Sequence, residues 1–278
     1  MSRSDLIKKI IITAIISILC IIWIVPLIWM LSTSLKPEYT VVKVPPEWIP
    51  HPFSLENYIY IFKDTYDAPI IRWFLNSLFV ASVYTLLVVI VDSLAAYGYA
   101  RLNFKGRELL FWLLMATYMI PPVMNLIPSY IVVYKFNWID TYYPMIIPGL
   151  AGVFGVFLLR QFFKTIPKEY DESAYIDGAS NFVIYKNIIL PLSKPALVTL
   201  AVFSFMGNWN DFLWPLIVTN DTFMRTLPVG LSLFQGKYVI EFGKMMAGAT
   251  VSALPAIILF LFTQRFFVRG ITMSGLKG

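Results

Sequence analysis

Six stretches of mostly apolar residues, each long enough to cross a bilayer core of about 30 Å as a helix, dominate this sequence. They lie near Ile10–Leu31, Trp73–Tyr97, Leu109–Val133, Tyr143–Phe163, Ala196–Val218 and Met245–Phe267. Inside hydrocarbon every backbone N–H and C=O needs a partner within the protein, so segments of this length and hydropathy are helices. Composition agrees: 58% of residues are hydrophobic and 14% charged, where a soluble domain carries about 25% charged residues. The reading is an all-α integral membrane protein with six transmembrane helices. The first stretch follows Lys8 and Lys9 as a signal peptide would. It exceeds the length of an h-region and lacks a small-residue cleavage site, so it reads as a retained anchor.

The net charge of +6 raises the question of nucleic acid, but the distribution of that charge follows the membrane instead. On one side fall Arg3, Lys8 and Lys9; Arg101, Lys105 and Arg107; Arg160, Lys164, Lys168, Lys186 and Lys194; and Arg265, Arg269 and Lys277. These make up 14 of the 22 basic residues, and they sit in short loops and tails or, for Arg160 and Arg265, at the adjoining ends of the stretches. The other side carries the remaining eight. The positive-inside rule therefore places both termini in the cytoplasm, together with the connection that follows the fourth stretch.

Enzyme chemistry has little to work with. The single cysteine, Cys20, lies inside the first stretch, so no disulfide framework exists. The single histidine, His51, has no companion at metal-ligand spacing. No GxxxxGK followed by Ser or Thr occurs, so any nucleotide hydrolysis belongs to another subunit. Two carboxylates, Asp92 and Asp211, fall within the second and fifth stretches, where ionisable groups are expensive and by default invite a functional hypothesis; Asp92, beside Ser93 at the cytoplasmic end of its stretch, reads as structural. Asp211 belongs to the run Trp209-Asn210-Asp211-Phe212-Leu213-Trp214-Pro215. Its Asn and Asp could bond polar groups of a passing solute; equally, Asp211 could satisfy freed backbone N–H groups. The third stretch is interrupted by Pro121, Pro122, Asn125 and Pro128, and the fourth by Pro144, Pro148, Gly149, Gly152 and Gly155. Broken helices suit a translocation path, because protein or a water-filled cavity must satisfy the freed backbone; kinks that serve only packing are the alternative.

The connection from Glu169 to Pro191 is unusually ordered for a loop. Pro167 suits the first turn of a helix, and Glu169, Asp171 and Glu172 follow where the helix dipole favours negative charge. Gly178 can take the left-handed conformation that ends a helix, and a second helix then runs from about Asn181 to Leu190. On the first helix Tyr170, Ser173, Ala174 and Asp177 share a face, with small residues that let a partner approach.

The spacing in this connection carries a resemblance. Glu172-Ser173-Ala174, three residues, Gly178, nine residues, then Ile188-x-Leu190-Pro191 resembles the EAA loop of ABC-importer permeases, with Ser173 the one departure. The loop after the first stretch, with Ser34-Leu35-Lys36-Pro37, Pro45-Pro46-Glu47-Trp48-Ile49-Pro50 and Glu56-Asn57-Tyr58, is similar to the SLKP…PPxWxP…ENY pattern of carbohydrate-importer permeases. Ala95 to Arg107 and the segment around Asp211 look like further elements of the same MalG-like family. The ending Gly270–Gly278 looks like the tail that reaches between two ATPase subunits in maltose-type permeases.

The resemblance implies a type I ABC importer permease whose cytoplasmic EAA loop is a coupling helix. It implies a second permease, two ABC ATPase subunits that use ATP and Mg, and an extracytoplasmic binding protein that delivers a carbohydrate; no cofactor is bound by this chain itself. It assigns coupling to Tyr170, Glu172, Ser173, Ala174, Asp177, Gly178, Ile188, Leu190 and Pro191, ATPase contact to Gly275, Lys277 and Gly278, and a translocation path to Trp209, Asn210, Asp211 and Asn125. Residues 1–72 would form the first helix and the proline-rich loop, 73–267 the permease core and 268–278 the tail, in a bacterial cell membrane. Alternatives are an ion-coupled secondary transporter, a membrane-embedded enzyme, or an ABC permease for a non-sugar solute such as glycerol phosphate.

Overall fold

The computed structural model describes residues 3–63, 68–234 and 241–274, and among them every regular element is a helix. Three helices are long and apolar enough to span a bilayer unaided: α1 (Arg3–Ser34), which follows the first apolar stretch, α4 (Ile70–Arg101) and α15 (Phe242–Ser274). Between them lie α2 (Glu38–Val41) and α3 (Glu56–Phe62), then α5 (Arg107–Thr117), α6 (Leu126–Lys135), α7 (Tyr143–Ile146) and α8 (Val153–Thr165). They are followed by α9 (Glu169–Ile176), α10 (Asn181–Ile184), α11 (Leu190–Leu192), α12 (Lys194–Trp209), α13 (Leu213–Val218) and α14 (Leu227–Leu231).

Of the six expected stretches, three form continuous helices long enough to span, and the described residues give up to five candidate spans when each of two bent helix pairs is counted as one. In the third stretch α5 stops at Thr117, a short turn of 3₁₀ helix covers Pro122–Asn125, and the chain resumes as α6 after a bend of 89°. Pro121 and Pro122 are the cause: neither has an N–H to donate, and each restricts the residue before it. The fourth stretch contains α7, an irregular segment around Pro148 and Gly149, and then α8. At 1.5 Å per residue the 13 residues of α8 cover about 20 Å, too short to span alone. In the fifth, α12 ends at Trp209 and α13 starts only at Leu213.

The chain divides into two compact units. One comprises Met1–Arg72 with Val229–Leu254. In it the two ends of the proline-rich loop's signature meet: the Asn57 side chain donates to the carbonyls of Ser34 (3.0 Å) and Lys36 (2.8 Å), and the hydroxyls of Ser34 and Tyr58 lie 2.8 Å apart. Lys36 is buried, its ammonium donating to the Glu47 carbonyl and sitting 4.4 Å from the Trp29 ring centre. Burial lowers its pKa, against the opposing pull of Glu47. The Glu38 carboxylate accepts from the backbone N–H of Gly243 at 2.9 Å. These contacts hold the loop in place, but it is not the non-helical excursion its consecutive prolines favour, since α2 and α3 lie within it.

The other unit comprises Trp73–Pro228 with Pro255–Gly278. Its main core joins α4 (Val88, Ala96), α8 (Leu159, Phe163), the following hairpin (Ala174, Ile184, Ile189) and α12 (Leu200). A second cluster gathers Val80, Val133, Met145, Ile146 and Val218. α5 is pinned to α8 by Arg160, which donates to both oxygens of Glu108 at 2.7 and 2.8 Å and lies 3.7 Å from the centre of the Phe111 ring.

Candidate functional site

The segment after α8 folds as a helical hairpin. Ile166 is extended, Lys168 opens α9, and Gly178 takes φ 79° so that the chain can reverse. Ser180 then caps α10 by accepting from the Val183 N–H, and helical geometry continues through a π turn at Tyr185–Ile189 to Leu192. These are the elements the local signals foretell. Glu172, Ser173, Ile176, Asp177 and Gly178 are exposed, and Tyr170 is half exposed.

Ala174 departs from the expected outward face. It is buried in the main core, where its small side chain lets α9 lie close against the protein's own helices. Ser173 points outward and its hydroxyl donates to the Tyr170 carbonyl at 3.1 Å. In the second arm Ile188 and Leu190 are partly buried against the same core, while Pro191 is exposed.

Arg101, at the end of α4, fastens the hairpin. One guanidinium nitrogen donates to the carbonyls of Phe163 (2.8 Å) and Ile166 (2.7 Å) at the end of α8; another lies 3.2 Å from the Asp171 carboxylate. One side chain therefore caps α8 and grips α9. Burial raises the Asp171 carboxyl pKa above the ordinary range, and Arg101 and Lys168 oppose that rise. A second tie joins Ser93 of α4 to Tyr185 of the second arm, their hydroxyls 2.7 Å apart. The sequence reading did not single out Arg101, Asp171 or Tyr185 in these roles; the only signal was the Ala95–Arg107 pattern.

Two hollows of about 320 Å³ each lie in this unit and share Gly149, Asp211 and Trp214. One is lined also by Tyr84, Asp92, Ser204 and Asn208, the other by Asn125 and Ser129. Asn125 and Asp211 thus border one space. Trp209 does not: it is buried, stacked on Phe205 at 5.8 Å and set edge-on to Phe74 at 5.6 Å, so it serves packing. Asn210 turns back on its own helix, donating to the Met206 carbonyl at 2.8 Å. Asp211 accepts from the backbone N–H groups of Trp214, Phe212 and Leu213, so it satisfies the backbone freed where α12 breaks. Asp92, missed as a lining residue, is buried in the first hollow with neither carboxylate oxygen bonded. A Cβ on Gly155 would lie 1.9 Å from its Oδ2, so only glycine leaves room for that carboxylate. Among the described residues no group of three His, Cys, Asp or Glu could hold a metal ion. Gly275, Lys277 and Gly278 lie outside the described residues.

Comparison with known proteins places this geometry in a family. Residues 93–273 match the model of the binding-protein-dependent transport system inner membrane component. The trehalose/maltose transport system permease protein MalG of Thermococcus litoralis is 35% identical over 99% of both chains. The arabinooligosaccharides permease AraQ of Bacillus subtilis is 33% identical over 97% of this chain and 96% of its own. The sn-glycerol-3-phosphate permease UgpE of Shigella flexneri is 34% identical over 85% of this chain and 86% of its own. The fold matches a chain of a bacterial ABC transporter that imports alginate, with a TM-score of 0.83, 22% identity and coverage of 96% and 99%. This chain belongs to the inner-membrane permeases of binding-protein-dependent ABC transport systems, a translocation subunit and not an enzyme.

Proposed function

We propose that this chain is one permease of a heterodimeric ABC importer for a carbohydrate, driven through the Glu169–Leu192 hairpin by two ATPase subunits that bind ATP and Mg. The observation that carries the driving mechanism is the hairpin's attachment: Arg101 and the Ser93–Tyr185 pair bind both arms to α4, a continuous membrane helix. A hairpin so fastened moves as a rigid body, and its displacement tilts α4. Tyr170, Glu172, Ser173 and Ile176 present the outward surface that docks on the ATPase. The hairpin and both termini lie in the cytoplasm, as the clustering of basic residues favours.

The relatives' printed substrates support a carbohydrate: trehalose and maltose, arabinooligosaccharides, and sulfoquinovosyl glycerol in the 34%-identical permease SmoH of Agrobacterium fabrum. An extracytoplasmic binding protein delivers it; the alginate importer is known with its periplasmic partner bound. The hollows bordered by Asn125, Asp211, Ser204 and Asn208 supply acceptors and donors for sugar hydroxyls along the path. ATP binding turns the cavity outward and hydrolysis resets it. Coupling is reciprocal, so loaded binding protein stimulates the ATPases.

The test is Glu172→Lys in the assembled importer, reading ATPase activity and uptake side by side. Charge reversal on the docking surface should uncouple hydrolysis from uptake or release the ATPase; unchanged uptake would remove Glu172 from the interface. Deleting Ser274–Gly278 probes the tail in the same assay, with altered ATPase activity or assembly expected and wild-type behaviour in both assembly and uptake counting against a tail contact.

A further inference from the structure

We propose that the groove beside the hairpin binds the phosphate of an anionic phospholipid headgroup. The groove, about 450 Å³, opens between the end of α4, the loop that follows it, α8 and α9. Four cations border it, Arg101, Arg107, Lys164 and Lys168, against two carboxylates, Asp171 and Glu172. Arg101 is committed to Asp171 and two carbonyls, yet its Nε is buried without a partner. Arg107 bonds the Leu102 carbonyl and the Asn103 side chain and pairs with Glu108 at 3.4 Å. Lys164 and Lys168 are different: among the described residues neither ammonium pairs with a carboxylate within 4 Å. The groove therefore holds two ammonium groups without an ion pair within 4 Å, Lys168 acting on Asp171 and Lys164 on Glu108 only at longer range, beside two arginines that are already paired.

The surroundings select a lipid over a free anion. Asn103 and Arg107 also border a shallower hollow of about 550 Å³ whose other walls include Phe104 and Leu109. It leads onto the outer face of α5, where Leu109, Trp112 and Leu113 are 65%, 66% and 55% exposed. A phosphate in the basic groove can thus be continuous with acyl chains along α5. Basic pockets at the ends of membrane helices hold headgroups in this way. A headgroup lodged here would bridge α8 to the loop after α4 and tie the base of the hairpin to the plane of the membrane. The idea does not depend on sidedness, because the lipid is offered to both faces below.

The test uses the whole importer complex in nanodiscs of mixed phosphatidylglycerol and phosphatidylcholine with matched chains, and measures the lipid retained on purification by native mass spectrometry. Wild type should retain phosphatidylglycerol preferentially. Lys164→Gln with Lys168→Gln should reduce that preference by about 30-fold, at roughly five-fold per basic side chain near an anionic surface. Lys164→Arg with Lys168→Arg should keep it, which separates charge from misfolding. Equal retention by wild type and the Gln pair overturns the proposal. So does saturable binding of inorganic phosphate that needs Lys164 and Lys168 while phosphatidylglycerol is retained no better than phosphatidylcholine, which would make the ligand a free anion. Loss of the ATPase subunits from the Gln pair with lipid preference intact also overturns it, since the lysines would then serve that interface. ATP-driven uptake on the same preparations reports separately on the transport function.

Discussion

Arg101 concentrates more structural consequence than any other side chain in the hairpin region. Truncating it leaves two carbonyls at the end of α8 without their donor and the Asp171 carboxylate buried without its counter-charge. Breaking a buried pair from one side costs about 3–5 kcal/mol. Arg101→Ala should therefore loosen the hairpin, seen as faster hydrogen exchange across Glu169–Ile176, and should reduce uptake more than ATPase activity. Asp171→Asn should behave differently. Burial is the largest influence on Asp171 and raises its pKa, against the pull of Arg101 and Lys168, so folding makes its ionisation less favourable than in the unfolded chain. The sign follows: relative to the unfolded chain the group stabilises at low pH, and that contribution is lost as pH rises from the ordinary carboxylate value of about 3.9 through the raised folded value. Thermal unfolding of wild type should show this loss, and Asp171→Asn should abolish it. Gly155 offers another check on packing. Gly155→Ala should destabilise by about 1–3 kcal/mol through overpacking against Asp92, and a second change, Asp92→Ala, should recover much of the loss in melting temperature. Sequence alone marks Asp92 as an acid within a span. Nothing local to it announces that Gly155, on another helix, is its neighbour.

At the scale of elements, the hairpin is legible in the sequence because its signals are local. The acids Glu169, Asp171 and Glu172 at the start of α9 and Gly178 at the turn each act within a few residues of where they stand, whereas Pro167 lies ahead of the Lys168 cap and not in the first turn. Which face of α9 looks outward is not local. A periodicity of 3.6 groups Ala174 with Tyr170 and Asp177, but only the packing of α4, α8 and α12 decides that Ala174 turns inward. Trp209 is decided by packing in the same way: Phe205, one turn earlier on α12, stacks on it, but it is Phe74 of α4 that closes it into the core. Conversely, Asp211 is readable as a backbone acceptor because the break that frees those N–H groups lies beside it in sequence. Because Ala174 is part of the core, Ala174→Leu should damage folding, lowering the yield of assembled complex, whereas Ser173→Ala on the exposed side should leave yield unchanged.

For the whole molecule, hydropathy is enough to give an all-helical membrane protein, and the EAA-like spacing enough to give its family, since both depend on patterns within the chain. The number of straight spans is not, because Pro121, Pro122, Pro148 and Gly149 break helices whose composition still reads as continuous. Those breaks are where the hollows sit, so the departures from regular helix and the proposed path coincide. The central claim is that transport through this chain is driven by ATP hydrolysed in partner subunits and passed through the hairpin. Uptake by proteoliposomes containing the assembled importer and its loaded binding protein measures this most directly. Uptake should require ATP and Mg on the hairpin side and survive dissipation of every ion gradient; uptake that persists without ATP and collapses with an ion gradient would contradict the account.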